Sequence, residues 1–164
     1  MNRGPADGTV TIRAAALSDT PFLYRIESDP TARRMAAFGA EEPGSLAAYQ
    51  AGWERMLADT DVVAKVVLWN GKVVGSVVRF PLLQQPSVAV WIDRELWGRG
   101  IATRALSLFL REISVRPLFA RVAKDNVGSR AVVERCGFKV VGEDRGFALW
   151  RGTDLEELVY RLDG

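Results

Sequence analysis

A mixed β-sheet with helices packed on its faces, an α/β (α+β) fold, is the arrangement that this order of segments dictates. Two β-branched runs, Val62 to Trp69 and Lys72 to Phe80, are separated only by Asn70-Gly71, a pair that tolerates positive φ and closes a tight antiparallel hairpin. Short helices precede that hairpin, and after it apolar strands alternate with segments of helical spacing. With 164 residues, of which 48% are hydrophobic, the chain can bury one substantial core and is too short for two ordinary domains. Residues 1–164 are therefore expected to form a single domain.

Residues 1–9 are polar, contain Gly and Pro, and are expected to be a flexible tail. Val10 to Arg13 alternates as a strand. Ser18-Asp19-Thr20-Pro21 is a helix start with proline just inside it, and that helix should run to Glu27. Asp29-Pro30 breaks the chain, Ala32 to Phe38 forms a second short helix, and Pro43-Gly44-Ser45 resets it for a third, Leu46 to Leu57. The hairpin follows. Pro81 and Pro86 then bracket a loop before the short strand Val88 to Ile92. The next helix starts around Gly100, keeps Ile101, Ala105, Leu108, Phe109 and Ile113 on one face, and is ended by Pro117. Leu118 to Ala123 is a strand and Gly128 to Cys136 a helix stopped by a left-handed Gly137. Phe138 to Val141 and Leu155 to Leu162 are the last strands, so the sheet should hold about six to seven.

The 22 basic and 20 acidic residues nearly cancel, and a net charge of +2 points to no nucleic-acid partner. The arginines between Arg94 and Arg121 are spread over two elements and balanced by acids, which counts against a nucleic-acid-binding domain. Cys136 is the only cysteine and there is no histidine, so an internal disulfide, the usual Cys and His metal sites, and Ser-His-Asp or Cys-His catalysis are excluded. No metal is expected. No apolar signal core follows Met1 and no apolar run approaches the roughly 18 residues that span a bilayer, so a cytoplasmic protein without membrane association is expected.

Chemistry concentrates in Trp97-Gly98-Arg99-Gly100-Ile101-Ala102-Thr103, between a strand and a helix N-terminus. Backbone N–H groups there are not used by the helix, glycines let an anion approach, and the helix dipole favours negative charge. The segment either binds a phosphate, with Arg99, Arg104 or Lys124 meeting a peripheral one, or is merely a tight strand-to-helix turn. A dinucleotide fingerprint fails, because position 103 is threonine and an antiparallel hairpin stands where a first Rossmann strand should open the domain.

A second cluster, Asn126-Val127-Gly128-Ser129 leading to Gly137-Phe138, lies downstream. Together the two clusters resemble the GNAT superfamily of acetyl-CoA-dependent N-acetyltransferases, in which a Q/R-x-x-G-x-G/A motif holds the coenzyme pyrophosphate and an N-x-x-S or N-x-x-A leads into a G-F pair. The 97–103 segment looks most like the branch of the ribosomal-protein N-terminal (alanine) acetyltransferases, and Ile12-Arg13, Asp29-Pro30 and Leu158 to Leu162 are similar too, so the resemblance covers nearly the whole chain.

The resemblance implies a sheet splayed between strands four and five, with acetyl-CoA as acyl donor and a primary amine as acceptor. That amine would be a peptide N-terminus, an amino acid or a small aminated metabolite. It implies coenzyme contacts from Trp97, Gly98, Arg99, Gly100, Ile101, Ala102, Thr103, Asn126 and Ser129. Val90, Trp91 and Ile92 would supply backbone contacts, the Val90 N–H facing the thioester oxygen. Ser129 either protonates the departing thiolate or caps the helix after Asn126-Val127-Gly128, and Asn126 either bonds the pantetheine amide or only makes the turn. Cys136 reads as a small buried apolar residue. The protein is expected as a monomer or homodimer.

Three positions depart from the pattern: Glu95 replaces Gln or Arg, Val133 stands where many relatives carry a tyrosine that protonates the thiolate, and Ser87 stands where many carry a basic glutamate. With no base in view the acceptor would lose its proton to water, and a catalytically silent acyl-CoA-binding sensor is the alternative. On the acceptor side, Arg33 and Arg34 either recognise a carboxylate or are solvated, and Trp53, Trp69, Trp91 and Trp150 either line the pocket or fill the core.

Overall fold

The computed structural model describes residues 8–164. Its strands are β1 (Val10–Ala14), β2 (Val63–Trp69), β3 (Lys72–Leu82), β4 (Gln85–Ile92), β5 (Leu118–Ala123), β6 (Lys139–Ala148) and β7 (Thr153–Leu162). Its helices are α1 (Thr20–Glu27), α2 (Pro30–Ala36), α3 (Leu46–Ala58), α4 (Ile101–Glu112) and α5 (Val127–Arg135). The strands form one 7-stranded sheet in the order β1-β2-β3-β4-β5-β7-β6, antiparallel except between β4 and β5.

Asn70 (φ 53°) and Gly71 (φ 82°) close the expected hairpin. Leu83 (φ 51°) and Gln84 (φ 64°) close another, so the loop expected between Pro81 and Pro86 is instead the end of a β3–β4 ladder with the two prolines facing each other. Having no N–H to give, they fit a non-hydrogen-bonded pair. Asp29-Pro30 breaks the chain between α1 and α2 as expected, and it also opens α2 two residues before Ala32: Asp29 accepts from the Ala32 N–H at 2.9 Å and Pro30 is the first helical residue. Ala37 at φ 67° ends that helix before Phe38. α4 stops at Glu112 rather than at Pro117, because Ile113 turns extended and stays buried. β6 runs past Val141 because cross-strand ion pairs carry its polar half, among them Lys124–Glu143 and Arg121–Asp144.

One face of the sheet packs Val77, Val88, Ile92, Leu118 and Tyr160 with Ile101, Ala105, Leu106 and Phe109 of α4. Leu108, expected on that face, is only half-buried, whereas Leu106 is fully enclosed. The other face is covered by α1 and α3 through Leu23 and Trp53 on Val66 and Val78. Of the expected N-terminal tail, residues 1–7 lie outside those described; Gly8 and Thr9 are tied down. Arg104 donates to the Gly8 carbonyl at 2.8 Å, and Thr9 exchanges bonds with Asn70. Among the described residues no helix is long and apolar enough to cross a membrane.

β4 and β5 are joined only at Ser87 and Phe119, beyond which they part, and this is the expected splay. β4 is held from its other side, where Gly75 faces Ile92 and a Cβ on Gly75 would stand 1.9 Å from the Trp91 carbonyl oxygen. Gly75→Ala must push the strands apart and should lower stability by about 1–3 kcal/mol, seen as a lower urea midpoint at unchanged slope.

Candidate active site

A cleft of about 670 Å³ opens where β4 leaves β5, bounded by β4, α2 and the N-termini of α4 and α5. Val90, Trp91, Ile92, Trp97, Gly98, Gly100, Ile101, Ala102, Thr103, Asn126 and Ser129 all line it. Arg99 does not: its guanidinium lies 5.4 Å from the centre of the Trp69 ring.

The β4 wall presents alternating backbone groups. The Asp93 N–H reaches the Val74 carbonyl at 2.8 Å and the Trp91 carbonyl is turned the same way, toward β3. Alternate residues of a strand direct these groups to opposite edges, so Val90 and Ile92 direct theirs into the cleft. Trp91 thus offers a side chain and not the expected backbone contact. The Ile92 carbonyl accepts the Trp97 indole N–H at 2.9 Å, leaving its N–H for a ligand.

The helix that begins at Ile101 starts behind Gly98 (φ 80°) and Gly100 (φ 77°), and Gly100 has no side chain with which to cap it. Among the described residues, the N–H groups of Ile101, Ala102 and Thr103 have no acceptor. At the neighbouring helix Asn126 is the cap: its buried side chain accepts from the Ser129 N–H at 3.2 Å. The capping role considered for Ser129 therefore belongs to Asn126, and the half-buried Ser129 hydroxyl has no partner among the described residues.

None of the three cations considered for a peripheral phosphate is directed there. Besides Arg99, Arg104 binds the Gly8 carbonyl, and Lys124 sits between Glu143 and Glu156 at 3.0 and 2.8 Å, which raises its pKa. Arg135, at the end of α5, lines the cleft with no ion pair among the described residues. The sequence offered no sign of it beyond a basic residue in a helix's last turn.

Trp91 meets Trp150 edge to face at 6.0 Å, and Arg33 lies 4.8 Å from the centre of the Trp150 ring. Trp91 lines the cleft, and Trp150 and Arg33 stack behind it and line the neighbouring depression. Trp53 fills the core beneath α3, and Trp69 packs on the main core. Arg33 and Arg34 line a shallower depression of about 420 Å³ beside Trp150, together with Glu41 and Glu42. Ala32, Met35 and Ala36 of α2 also line the main cleft, a role the sequence did not announce.

The model of the GNAT acetyltransferase domain matches residues 9–139. The chain belongs to the GNAT acetyltransferase family. Solved structures share the fold: RimJ of Mycobacterium smegmatis in complex with CoA-disulfide has 19% identity and a TM-score of 0.81 over 96% of this chain and 83% of that one. A ribosomal-protein-alanine N-acetyltransferase from Brucella melitensis has 23% identity and a TM-score of 0.80 over 94% and 99%. The Microcin C7 self-immunity acetyltransferase MccE, in complex with acetyl-CoA and AMP, has 18% identity and a TM-score of 0.77 over 98% and 94%. No curated protein sequence matches.

In this GNAT domain Val133 is buried in the core, and Ser87, also buried, donates to the Gln85 carbonyl at 3.2 Å. Glu95 is exposed, and its N–H is capped by Asp93. Cys136 is half-buried with its thiol toward the Thr103 carbonyl at 3.6 Å, and burial raises its pKa, as befits a packing residue. The Asn126 cap is open to direct measurement. Asn126→Ala should cost about 1 kcal/mol of unfolding free energy, whereas Ser129→Ala should cost little, in paired denaturant titrations.

Proposed function

We propose that this GNAT domain transfers the acetyl group of acetyl-CoA to the primary amine of a peptide N-terminus, an amino acid or a small aminated metabolite. The observation that carries this reading is the run of unpaired N–H groups at Ile101, Ala102 and Thr103, opening beside the unpaired edge of β4. A helix N-terminus with its donors unused binds a pyrophosphate, and a strand edge left open accepts an amide-bearing arm. RimJ in complex with CoA-disulfide and MccE in complex with acetyl-CoA, both of this fold, support the coenzyme assignment.

In this reading Ile101, Ala102 and Thr103 donate to the pyrophosphate and Arg135 meets a more exposed phosphate. Ile92 offers its N–H to the pantetheine arm. The Val90 N–H faces the thioester oxygen and stabilises the charge that develops there as the amine attacks. Ser129, with an unengaged hydroxyl on the cleft wall, supplies the proton for the departing thiolate in place of the tyrosine that Val133 excludes. Asn126 holds the Ser129 turn and keeps its Nδ2 for the arm.

Replacing Gly100 with Asp adds a negative charge at the phosphate-facing turn, and calorimetry should show a large loss of acetyl-CoA affinity in the folded variant. Unchanged affinity would remove the site. Ser129→Ala should lower turnover by about 10²-fold or more with little change in coenzyme affinity. Thiol release with a panel of amines separates this enzyme from a silent acyl-CoA sensor, which would bind the coenzyme and release nothing.

A further inference from the structure

On the basis of the acetyl-transfer reading, we infer that Glu27, at the end of α1, is the general base that takes the proton of the acceptor amine. Successive residues of a strand point to opposite faces, so Ser87, Ala89 and Trp91 project away from the face on which Val88 and Ile92 pack with α4. Ala89 pairs with Val78, which α1 and α3 cover. Yet Ala89 is exposed, in the interior of a seven-stranded sheet and one residue from Val90. The helical layer therefore leaves an opening beside the proposed thioester position.

Two contacts hold Glu27 on the sheet face of that opening. The Trp91 indole donates to the carbonyl of Ile26 at 3.4 Å, which ties the end of α1 to β4. The Tyr49 hydroxyl donates to the Glu27 carboxylate, and Tyr49 packs against the cluster that contains Val78. Glu27 thus lies between Trp91 and Tyr49, on the sheet face where Ala89 is uncovered, and is itself only half-buried. Its main chain is fixed as well, because Arg33 Nε donates to the Glu27 carbonyl at 2.8 Å.

The titratable and charged groups around the carboxylate are Tyr49 from α3, Arg33 from α2 and, through ring contact with Tyr49 at 5.1 Å, Tyr24 of α1. Burial pushes the Glu27 carboxyl above its usual range, against the opposing pull of the Tyr49 hydroxyl and the Arg33 charge. A base shifted in that direction is better matched to an ammonium proton. Tyr49 itself is held as the neutral phenol, since burial and the adjacent carboxylate raise its pKa.

The proton count closes. Glu27 takes one proton from the ammonium, directly or through one water. The amine lone pair then attacks the thioester carbon, and the C–S bond breaks with its electron pair on sulfur. The second proton lost by nitrogen balances the one gained by the thiolate, so the products are the amide, free CoA and the proton that Glu27 returns to water.

Thiol release at subsaturating acceptor is measured against pH for two amines of similar shape and different basicity, with wild type, Glu27→Gln and Tyr49→Phe. Wild type should give one inflection common to both amines and below both of their pKa values, rate rising as the carboxyl ionises. Glu27→Gln should lose about 10²-fold or more below the amine pKa and separate the two profiles by the difference in amine pKa. Tyr49→Phe removes the bond that favours the carboxylate, so it should move the common inflection upward for both amines alike. Wild-type profiles already displaced by the amine difference, or a Glu27→Gln variant within about threefold of wild type, would overturn the assignment and leave acetyl transfer standing with water as base. If Glu27→Gln does not fold, an unmoved inflection in Tyr49→Phe overturns it instead. A wild type that binds acetyl-CoA and acetylates no amine overturns the parent reading, and this one with it.

Discussion

One strand pairing carries the architecture: β4 and β5 pair at Ser87 and Phe119 and form no ladder beyond. Each is satisfied on its other side, β4 by β3 along its whole length and β5 by β7 from Leu118 to Ala123. The sheet is thus two nearly complete halves held side by side. Unpaired strand edges are ordinarily covered or blunted. Here a shared core keeps the halves together without closing the gap, since Val88 and Ile92 from one half and Leu118, Leu158 and Tyr160 from the other pack in a single cluster with α4. Burial of that surface, at about 25 cal/mol per Å² of apolar area, is what opposes the desolvated groups along the gap.

Both helices that start at the gap deliver their positive ends to it, but they are finished differently. Asn126 occupies one donor of α5 with its own side chain, whereas Gly100 leaves the donors of α4 bare. Apart from Arg135, nearby side-chain charge is tied up in the scaffold. Lys124 and Arg121 cross-link β5 to β6 and β7, and Arg104 anchors the segment at Gly8. An anion in the cleft is therefore met chiefly by backbone dipoles, which cost no side-chain ordering when it arrives.

On the opposite side the helical layer is positioned by polar contacts to the sheet. Arg151 binds Asp125 through both terminal nitrogens at 2.7 and 3.0 Å, and its Nε donates to the Arg34 carbonyl. That one side chain joins α2, the turn before α5 and the β6–β7 connection. Together with the Trp91 indole on Ile26, it sets the distance between the helices and the cleft.

Local chemistry in the sequence was enough for the element order, the Asn70-Gly71 hairpin, the bare helix start at Gly98 to Thr103 and the cap cluster at Asn126, because each depends on residues adjacent in the chain. Two-residue turns of Leu83 and Gln84 carry no such mark, since the ladder and not the side chains imposes their positive φ. Nor could pattern reveal that Arg99 folds onto Trp69, that the Trp91 backbone faces β3, or that Arg135 borders the cleft. Glu27 is the clearest case. In the sequence it is one more polar residue near a helix end, and only the Tyr49 hydroxyl of α3 and the Trp91 indole on Ile26 hold it on the sheet face where Ala89 is exposed. Motifs that act through their own backbone are written in consecutive residues, whereas a carboxylate's role depends on what distant segments bury beside it, and that is decided only when the layers close.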